Sequence, residues 1–107
     1  MEQSRGVRMG TDCTVVVEVQ EGGYWDVAAI IPLDRNYYMF ATLRDKGDIG
    51  YPGDVSSMTK HYLEELECWG EGWMTFEQFD KLFKDTRLDI IRKKYRKKAR
   101  IIYRFDN

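Results

Sequence analysis

The most concentrated chemical signal in this sequence is a run of basic residues close to its end. Seven of the nine residues in segment 92–100 are cationic, namely Arg92, Lys93, Lys94, Arg96, Lys97, Lys98 and Arg100. Cations at this density neutralise the phosphates of a nucleic acid or attract an acidic protein surface. The run is therefore predicted to be a binding surface for a macromolecule.

The rest of the chain carries the opposite charge, which bears on the choice of partner. Residues 1–85 contain 8 Lys/Arg and 16 Asp/Glu, a net charge of −8, whereas residues 86–107 contain 9 Lys/Arg and 2 Asp, a net charge of +7. The acidic part would repel a duplex, and dedicated nucleic-acid-binding domains are usually basic throughout. We therefore prefer an acidic protein as the partner and keep nucleic acid as the alternative. A third interpretation is that the basic segment packs across the chain's own acidic body.

No pattern of residues predicts a catalytic centre. His61 is the single histidine, and no motif places a nucleophile beside it. Glu64, Glu65 and Glu67 fall on one predicted helix, where adjacent positions do not face one another. The glycines of segment 47–53 are not followed by the Gly-Lys-Ser/Thr of a phosphate loop. We therefore expect no enzymatic activity, no catalytic residues and no cofactor.

The two cysteines, Cys13 and Cys68, do not have the spacing of a redox or zinc motif. In a reducing compartment both are expected to be free thiols. Because zinc needs about four ligands and the sequence offers too few, we assign no metal ligands.

The N-terminal half contains strand signals followed by one helix signal. Valines alternate through segment 14–19, and Gly22 and Gly23 separate this run from the aromatic and β-branched segment 24–28. Together they predict a β-hairpin. Asp34 or Asn36 is expected to cap a short helix, and the glycine- and proline-containing segment 45–53 is predicted to be a loop.

The C-terminal half is predicted to hold further short helices and one strand. A helix over 58–68 would place Met58, Tyr62, Leu66 and Trp69 on one stripe, and segment 70–72 would end it. Thr75 and Gln78 form a capping box for a helix reaching about residue 84, and another helix is predicted over 87–98. Segment 99–105 returns to a period of two and is expected to pair with segment 14–19.

These elements predict an α+β fold, in which a small antiparallel sheet (the N-terminal hairpin plus the C-terminal strand) packs with three to four short helices. The length predicts a flexible leader at 1–8 and a single domain at 9–107. No apolar run reaches the roughly 20 residues of a membrane span, and the start lacks the apolar stretch of a signal peptide. We therefore expect a cytoplasmic protein with no membrane partner.

Several short motifs resemble those of a known family. They occur in the order 9–12 (Met-Gly-Thr-Asp), 35–37 (Arg-Asn-Tyr), 51–56 (Tyr-Pro-Gly-Asp-Val-Ser), 73–75 (Trp-Met-Thr) and 100–107 (Arg-Ile-Ile-Tyr-Arg-Phe-Asp-Asn). In this order the chain, over residues 9–107, resembles a family of short, functionally uncharacterised proteins of tailed bacteriophages and prophages. The resemblance implies a phage origin and action in the cytoplasm of an infected host.

The departures from this family concern residues that look like metal ligands in its members. Relatives typically begin Met-Gly-Cys-Asp-Ile-His, whereas this chain has Thr11 and Thr14 at the Cys and His positions and no histidine in segment 69–73. A degenerate metal-binding domain is therefore a further alternative.

The preferred hypothesis is a non-enzymatic phage accessory protein that binds and modulates or inhibits a host macromolecule. A host protein with an acidic surface is the expected partner, and an anti-defence role such as inhibition of a CRISPR effector fits the phage context. The expected contact residues are Arg92, Lys93, Lys94, Arg96, Lys97 and Lys98, with Trp69 and Trp73 as aromatic contacts. Core packing is the alternative role for both tryptophans. The sequence does not determine the oligomeric state.

Overall fold

A computed structural model of the chain describes residues 10–65 and 68–106, and these residues form an α+β domain. The predicted leader at 1–8 lies outside the described residues. The strands are β1 (Asp12–Glu21), β2 (Tyr24–Pro32), β3 (Asp48–Ile49), β4 (Trp69–Thr75) and β5 (Ala99–Asp106). They form one antiparallel sheet in the order β2-β1-β5-β4-β3.

Four α-helices lie between the strands. They are α1 (Tyr37–Lys46), α2 (Ser57–Glu65), α3 (Phe76–Leu82) and α4 (Asp89–Lys94), and two 3-10 turns cover Thr86–Leu88 and Arg96–Lys98. The predicted fold class is confirmed, although the sheet is larger than predicted. Among the described residues, no helix has the length and apolar character needed to cross a bilayer.

The predicted hairpin turn and helix caps are confirmed. Gly22 and Gly23 adopt φ angles of 59° and 86°, which suit a tight hairpin turn between β1 and β2. Asn36 caps α1, since its side-chain oxygen accepts a hydrogen bond from the Met39 amide at 3.0 Å. Thr75 and Gln78 form the expected capping box at the start of α3.

Strand β5 lies at the centre of the sheet and is buried on both faces. On the first face, Ile101, Tyr103 and Phe105 pack with the alternate valines of β1 and with apolar residues of α1, α3 and α4. On the second face, Ile102 packs with Val16 of β1 and Leu63 of α2. Tyr51, Val55, Tyr62 and Trp73 complete this smaller core. As predicted, β5 pairs with β1, with Val17 opposite Ile101.

The middle of the chain differs from the prediction. Segment 70–72 was expected to break a helix, but it lies inside β4, and residues 48–49 of the predicted loop pair with it as β3. Helix α2 covers Ser57–Glu65. Trp69 does not belong to this helix but is the first residue of β4. Among the described side chains of α2, Thr59 and Leu63 are buried (0% and 3% exposed). Of the predicted stripe, Tyr62 packs on the smaller core, whereas Met58 is 63% exposed. Leu66 lies outside the described residues.

The basic segment is also less helical than predicted. Instead of one helix over 87–98, a 3-10 turn, the short helix α4 and a second 3-10 turn follow one another. Leu88 and Ile91 are buried, and Tyr95 is partly buried. The second turn, Arg96–Lys98, leads directly into β5 and redirects the chain into the centre of the sheet.

Position 72 of β4 requires a glycine because of Tyr103, its neighbour in β5. The hydroxyl of Tyr103 donates a hydrogen bond to the Leu43 carbonyl oxygen at 2.7 Å, and its ring lies across Gly47 and Gly72. A Cβ atom on Gly72 would lie 2.4 Å from this hydroxyl and 2.5 Å from the ring. Glycine at this position therefore makes room for a buried aromatic side chain rather than ending an element.

We expect the substitution Gly72→Ala to lower the free energy of unfolding by about 1–3 kcal/mol, because the added methyl group must displace a buried ring. Urea denaturation measures the change. Gly53→Ala is the matched control, since a Cβ atom there would have no atom within 4 Å. Equal midpoints for the two variants would contradict the steric explanation.

Candidate functional site

The basic run divides into buried and exposed members. The side chains of Arg92 and Arg100 are 11% and 6% exposed. Exposed cations occupy the stretch between them: Lys93, Lys94, Arg96, Lys97 and Lys98. We call these five residues the basic turn.

Arg92 anchors the start of the basic turn to helix α3. Its Nη2 and Nε atoms donate hydrogen bonds to Asp80 Oδ1 at 2.8 and 3.0 Å, and Nη2 also donates to the Asp85 carbonyl oxygen at 3.1 Å. Its hydrogen bonds hold the pKa of Asp80 below the usual value. The guanidinium is thus occupied within the fold, although Arg92 belongs to the predicted contact set.

Arg100 anchors the other end of the turn to the centre of the sheet. Its Nε donates to Glu18 Oε1 at 2.9 Å, and its Nη1 donates to Asp54 Oδ1 at 2.9 Å. The guanidinium carbon lies 3.8 Å from the centre of the Trp25 ring. Glu18 and Arg100 are partners in the β1–β5 register, so the ion pair spans two central strands.

The second oxygen of Glu18 is also satisfied. Oε2 accepts hydrogen bonds from the Thr59 hydroxyl at 2.6 Å and from the Ser56 amide at 2.9 Å. Glu18 is 0% exposed, and a buried carboxylate needs such partners. This cluster was not predicted from the sequence. Its signal was a single glutamate inside a valine run and an arginine inside the C-terminal strand.

The two candidate tryptophans lie on opposite faces of the sheet. Trp69 stacks on Phe105 of the first face with a centroid distance of 5.2 Å, and Arg44 lies 5.3 Å from its ring. Trp73 packs on the second face against the smaller core. The structure therefore brings Trp73, but not Trp69, next to the basic turn.

A groove of about 270 Å³ opens between β2, β4 and the basic turn. We call it the aromatic groove. It is lined by Trp25, Trp73, Thr75, Glu77, Arg96, Lys97, Ala99 and Arg100. It brings together two indole rings and three cations that are far apart in sequence. Trp25 was not among the predicted contacts.

The remaining family-like motif has a structural role. Arg35 Nε donates to Asp12 Oδ1 at 2.8 Å, and the Tyr37 hydroxyl accepts a hydrogen bond from the Gly10 amide at 2.8 Å. Asn36 is the cap of α1, as described above. Segment 35–37 thus ties the start of β1 to α1.

Neither cysteine has the environment of a reactive thiol. Burial raises the pKa of Cys13, and burial together with the nearby Glu71 carboxylate raises the pKa of Cys68 to about 11. Cys68 Sγ lies 3.1 Å from the Leu63 carbonyl oxygen and 3.1 Å from Glu71 Oε2. Across residues 10–65 and 68–106, no three His, Cys, Asp or Glu side chains are grouped in a way that could hold a metal ion.

Comparisons of the chain with models of protein families, with curated proteins and with solved structures find no match. The resemblance to tailed-phage proteins therefore remains an expectation from the sequence motifs. Function has to be argued from the residues and their geometry.

Removing the buried cation should be far more damaging than removing an exposed one. We expect Arg100→Leu to lower the free energy of unfolding by about 3 kcal/mol or more, because the buried Glu18 side chain would lose its ionic partner. Arg35→Leu is the matched control. It breaks the exposed Arg35–Asp12 pair, whose side chains are 55% and 50% exposed, and should have little effect. Similar losses in urea denaturation would contradict this assignment.

The raised pKa of Cys68 predicts slow labelling by a thiol reagent. At about pH 8 roughly one molecule in a thousand would carry the thiolate, and the rate should rise roughly tenfold per pH unit toward the pKa. Labelling with DTNB in a Cys13→Ala background measures this rate. Glu71→Gln removes the neighbouring negative charge, so it should lower the pKa and speed the reaction. An unchanged rate in that variant would show that Glu71 does not act on the thiol.

Proposed function

We propose that this chain is a non-enzymatic phage accessory protein whose basic turn attaches to an acidic surface of a host protein and so modulates or inhibits it. The observation that carries the proposal is the exposure of five cations within six consecutive residues. Among the described residues, no carboxylate forms an ion pair with Lys93, Lys94, Lys97 or Lys98, and Arg96 reaches Asp80 only at 3.8 Å. This charge is therefore available to a partner.

The anchoring of the turn supports a recognition role. Arg92 and Arg100 fix its two ends, and the Tyr95 hydroxyl donates to Glu21 Oε2 at 2.8 Å in its middle. A surface held in this way loses little conformational freedom when it binds, which lowers the entropic cost of association. Electrostatic attraction to an acidic patch would also raise the association rate.

The internal ion pairs weaken the interpretation that the basic segment only neutralises the chain's own acidic body. Asp80 and Glu18 do neutralise Arg92 and Arg100. The four lysines, however, remain outside these pairs. In the basic segment, Arg92 and Arg100 therefore form ion pairs within the fold, whereas the four lysines present their charge at the surface.

The phage origin, the host cytoplasm as the place of action and an anti-defence role come from the family resemblance. They are associational, since they rest on context and not on a site. Nucleic acid remains the alternative partner. A degenerate metal-binding domain has no support from the grouping of ligands within the described residues.

Affinity capture with the tagged protein from infected and uninfected host lysates tests the proposal. One stoichiometric host protein that persists after nuclease treatment would support it and identify the target. Recovery that depends on nucleic acid, or the absence of a captured protein, would overturn it.

We expect Lys93→Glu/Lys98→Glu to abolish capture without changing thermal stability, because both side chains are exposed and unpaired within the described residues. Lys46→Glu/Lys60→Glu is the matched control. It changes the net charge by the same amount at two exposed lysines of α1 and α2, and it should retain capture. Equal loss in both variants would show that net charge, and not the basic turn, controls binding.

A further inference from the structure

We infer that the aromatic groove is a nucleotide-binding site, in which Arg96 and Lys97 hold the phosphate and the indole of Trp73 contacts the base. This goes beyond the proposed function, since Trp25, Trp73 and Arg100 do not belong to the basic turn. The exposed lysines Lys93, Lys94 and Lys98 do not line the groove. The two surfaces can therefore be tested separately.

The cations that remain for a ligand in the groove are Arg96 and Lys97. The Arg100 side chain is 6% exposed, and its Nη2 atom lies 2.8 Å from Glu18 Oε1, so its charge is already paired within the fold. Arg96 and Lys97 are exposed at the rim, and Arg96 reaches its nearest carboxylate, Asp80, only at 3.8 Å. A phosphate between these two side chains would accept charge-assisted hydrogen bonds from both.

The aromatic walls favour a ligand with a flat, apolar part. Trp25 covers Arg100 from the β2 side, and Trp73 flanks the groove from β4. Bases stack on such side chains in proteins that bind single-stranded nucleic acids, while nearby cations follow the backbone. A small inorganic anion would leave the indole of Trp73 without a ligand contact. A duplex would not offer a base to this ring, because its bases are stacked and paired.

The size and polar lining of the groove fit one nucleotide unit. Its volume of about 270 Å³ lies just below the range of about 300–1,000 Å³ that is usual for sites of drug-sized ligands. Thr75 and Glu77 add oxygen atoms at the rim, which can accept hydrogen bonds from the amino group of a base. The carboxylate of Glu77 would repel a second phosphate placed beside it. Both a free nucleotide and one unit of a single strand share the required chemistry.

Tryptophan fluorescence provides the first test, because two of the chain's three tryptophans line the groove. UMP and an oligouridylate of about ten nucleotides are the two probes, and the longer one spans a typical single-strand site. We expect saturable quenching that Trp69→Phe retains and Trp73→Phe reduces. Quenching by UMP would identify free nucleotides as sufficient, whereas quenching by the oligonucleotide alone would identify a unit within a strand.

A pair of charge-matched variants provides the second test, by fluorescence anisotropy of the labelled oligonucleotide. Arg96→Gln/Lys97→Gln should weaken binding about tenfold or more and lower the salt dependence by about 0.7 in slope for each lost cation. Lys93→Gln/Lys98→Gln removes the same charge outside the groove and should weaken binding much less. Thermal melting checks that both variants remain folded.

Three results would overturn the inference. The first is the absence of quenching with either probe, and the second is equal weakening in the two double variants. The third is binding of a polyglutamate peptide of similar length with the same dependence on Trp73, which would identify the groove as a site for acidic protein segments. Loss of the groove activity would leave the capture experiment with Lys93 and Lys98 unaffected, so the two proposals fail independently.

Discussion

The ion pair between Glu18 and Arg100 is the constraint on which the second face of the sheet depends. Two charges in the middle of a sheet are tolerated only when every polar atom around them finds a partner. The start of α2, the Asp54 loop and the ring of Trp25 all assemble around this pair. A slip of one residue between β1 and β5 would place Glu18 and Arg100 on opposite faces of the sheet, so the pair also specifies the register.

Sequence patterns predicted the elements whose signals are local. The hairpin, the Asn36 cap, the Thr75 capping box and the pairing of β5 with β1 each depend on residues a few positions apart or on simple alternation. Strand β4 was missed because Gly70 and Gly72 resemble helix breakers. Its real requirement is the ring of Tyr103, about thirty positions away in the chain. Of the predicted stripe on α2, Tyr62 does pack on the smaller core. Thr59 was missed because it is buried for its hydrogen bond to Glu18, which hydropathy does not record.

In the sequence, the candidate site could be recognised only as a run of closely spaced cationic residues. Deciding which cations are free required the fold, because Arg92 meets Asp80 and Arg100 meets Glu18 through contacts across 12 and 82 residues. The same holds for the aromatic groove. Trp25 and Trp73 lie on strands separated by β1 and β5, and only the complete sheet order places them on either side of Arg100.

Among the described residues, β2 is an edge strand of the sheet, and its irregularities disfavour pairing with a further strand. The register with β1 shifts between Val17 and Glu18, which leaves Ala28 as an extra residue in the middle of β2, and the strand ends at Pro32. A bulge interrupts the even spacing of backbone donors and acceptors, and proline has no N–H to donate. Another strand therefore could not form a continuous ladder of hydrogen bonds along the full length of β2. The bulge that places Trp25 beside Arg100 thus also disfavours edge-to-edge aggregation through β2.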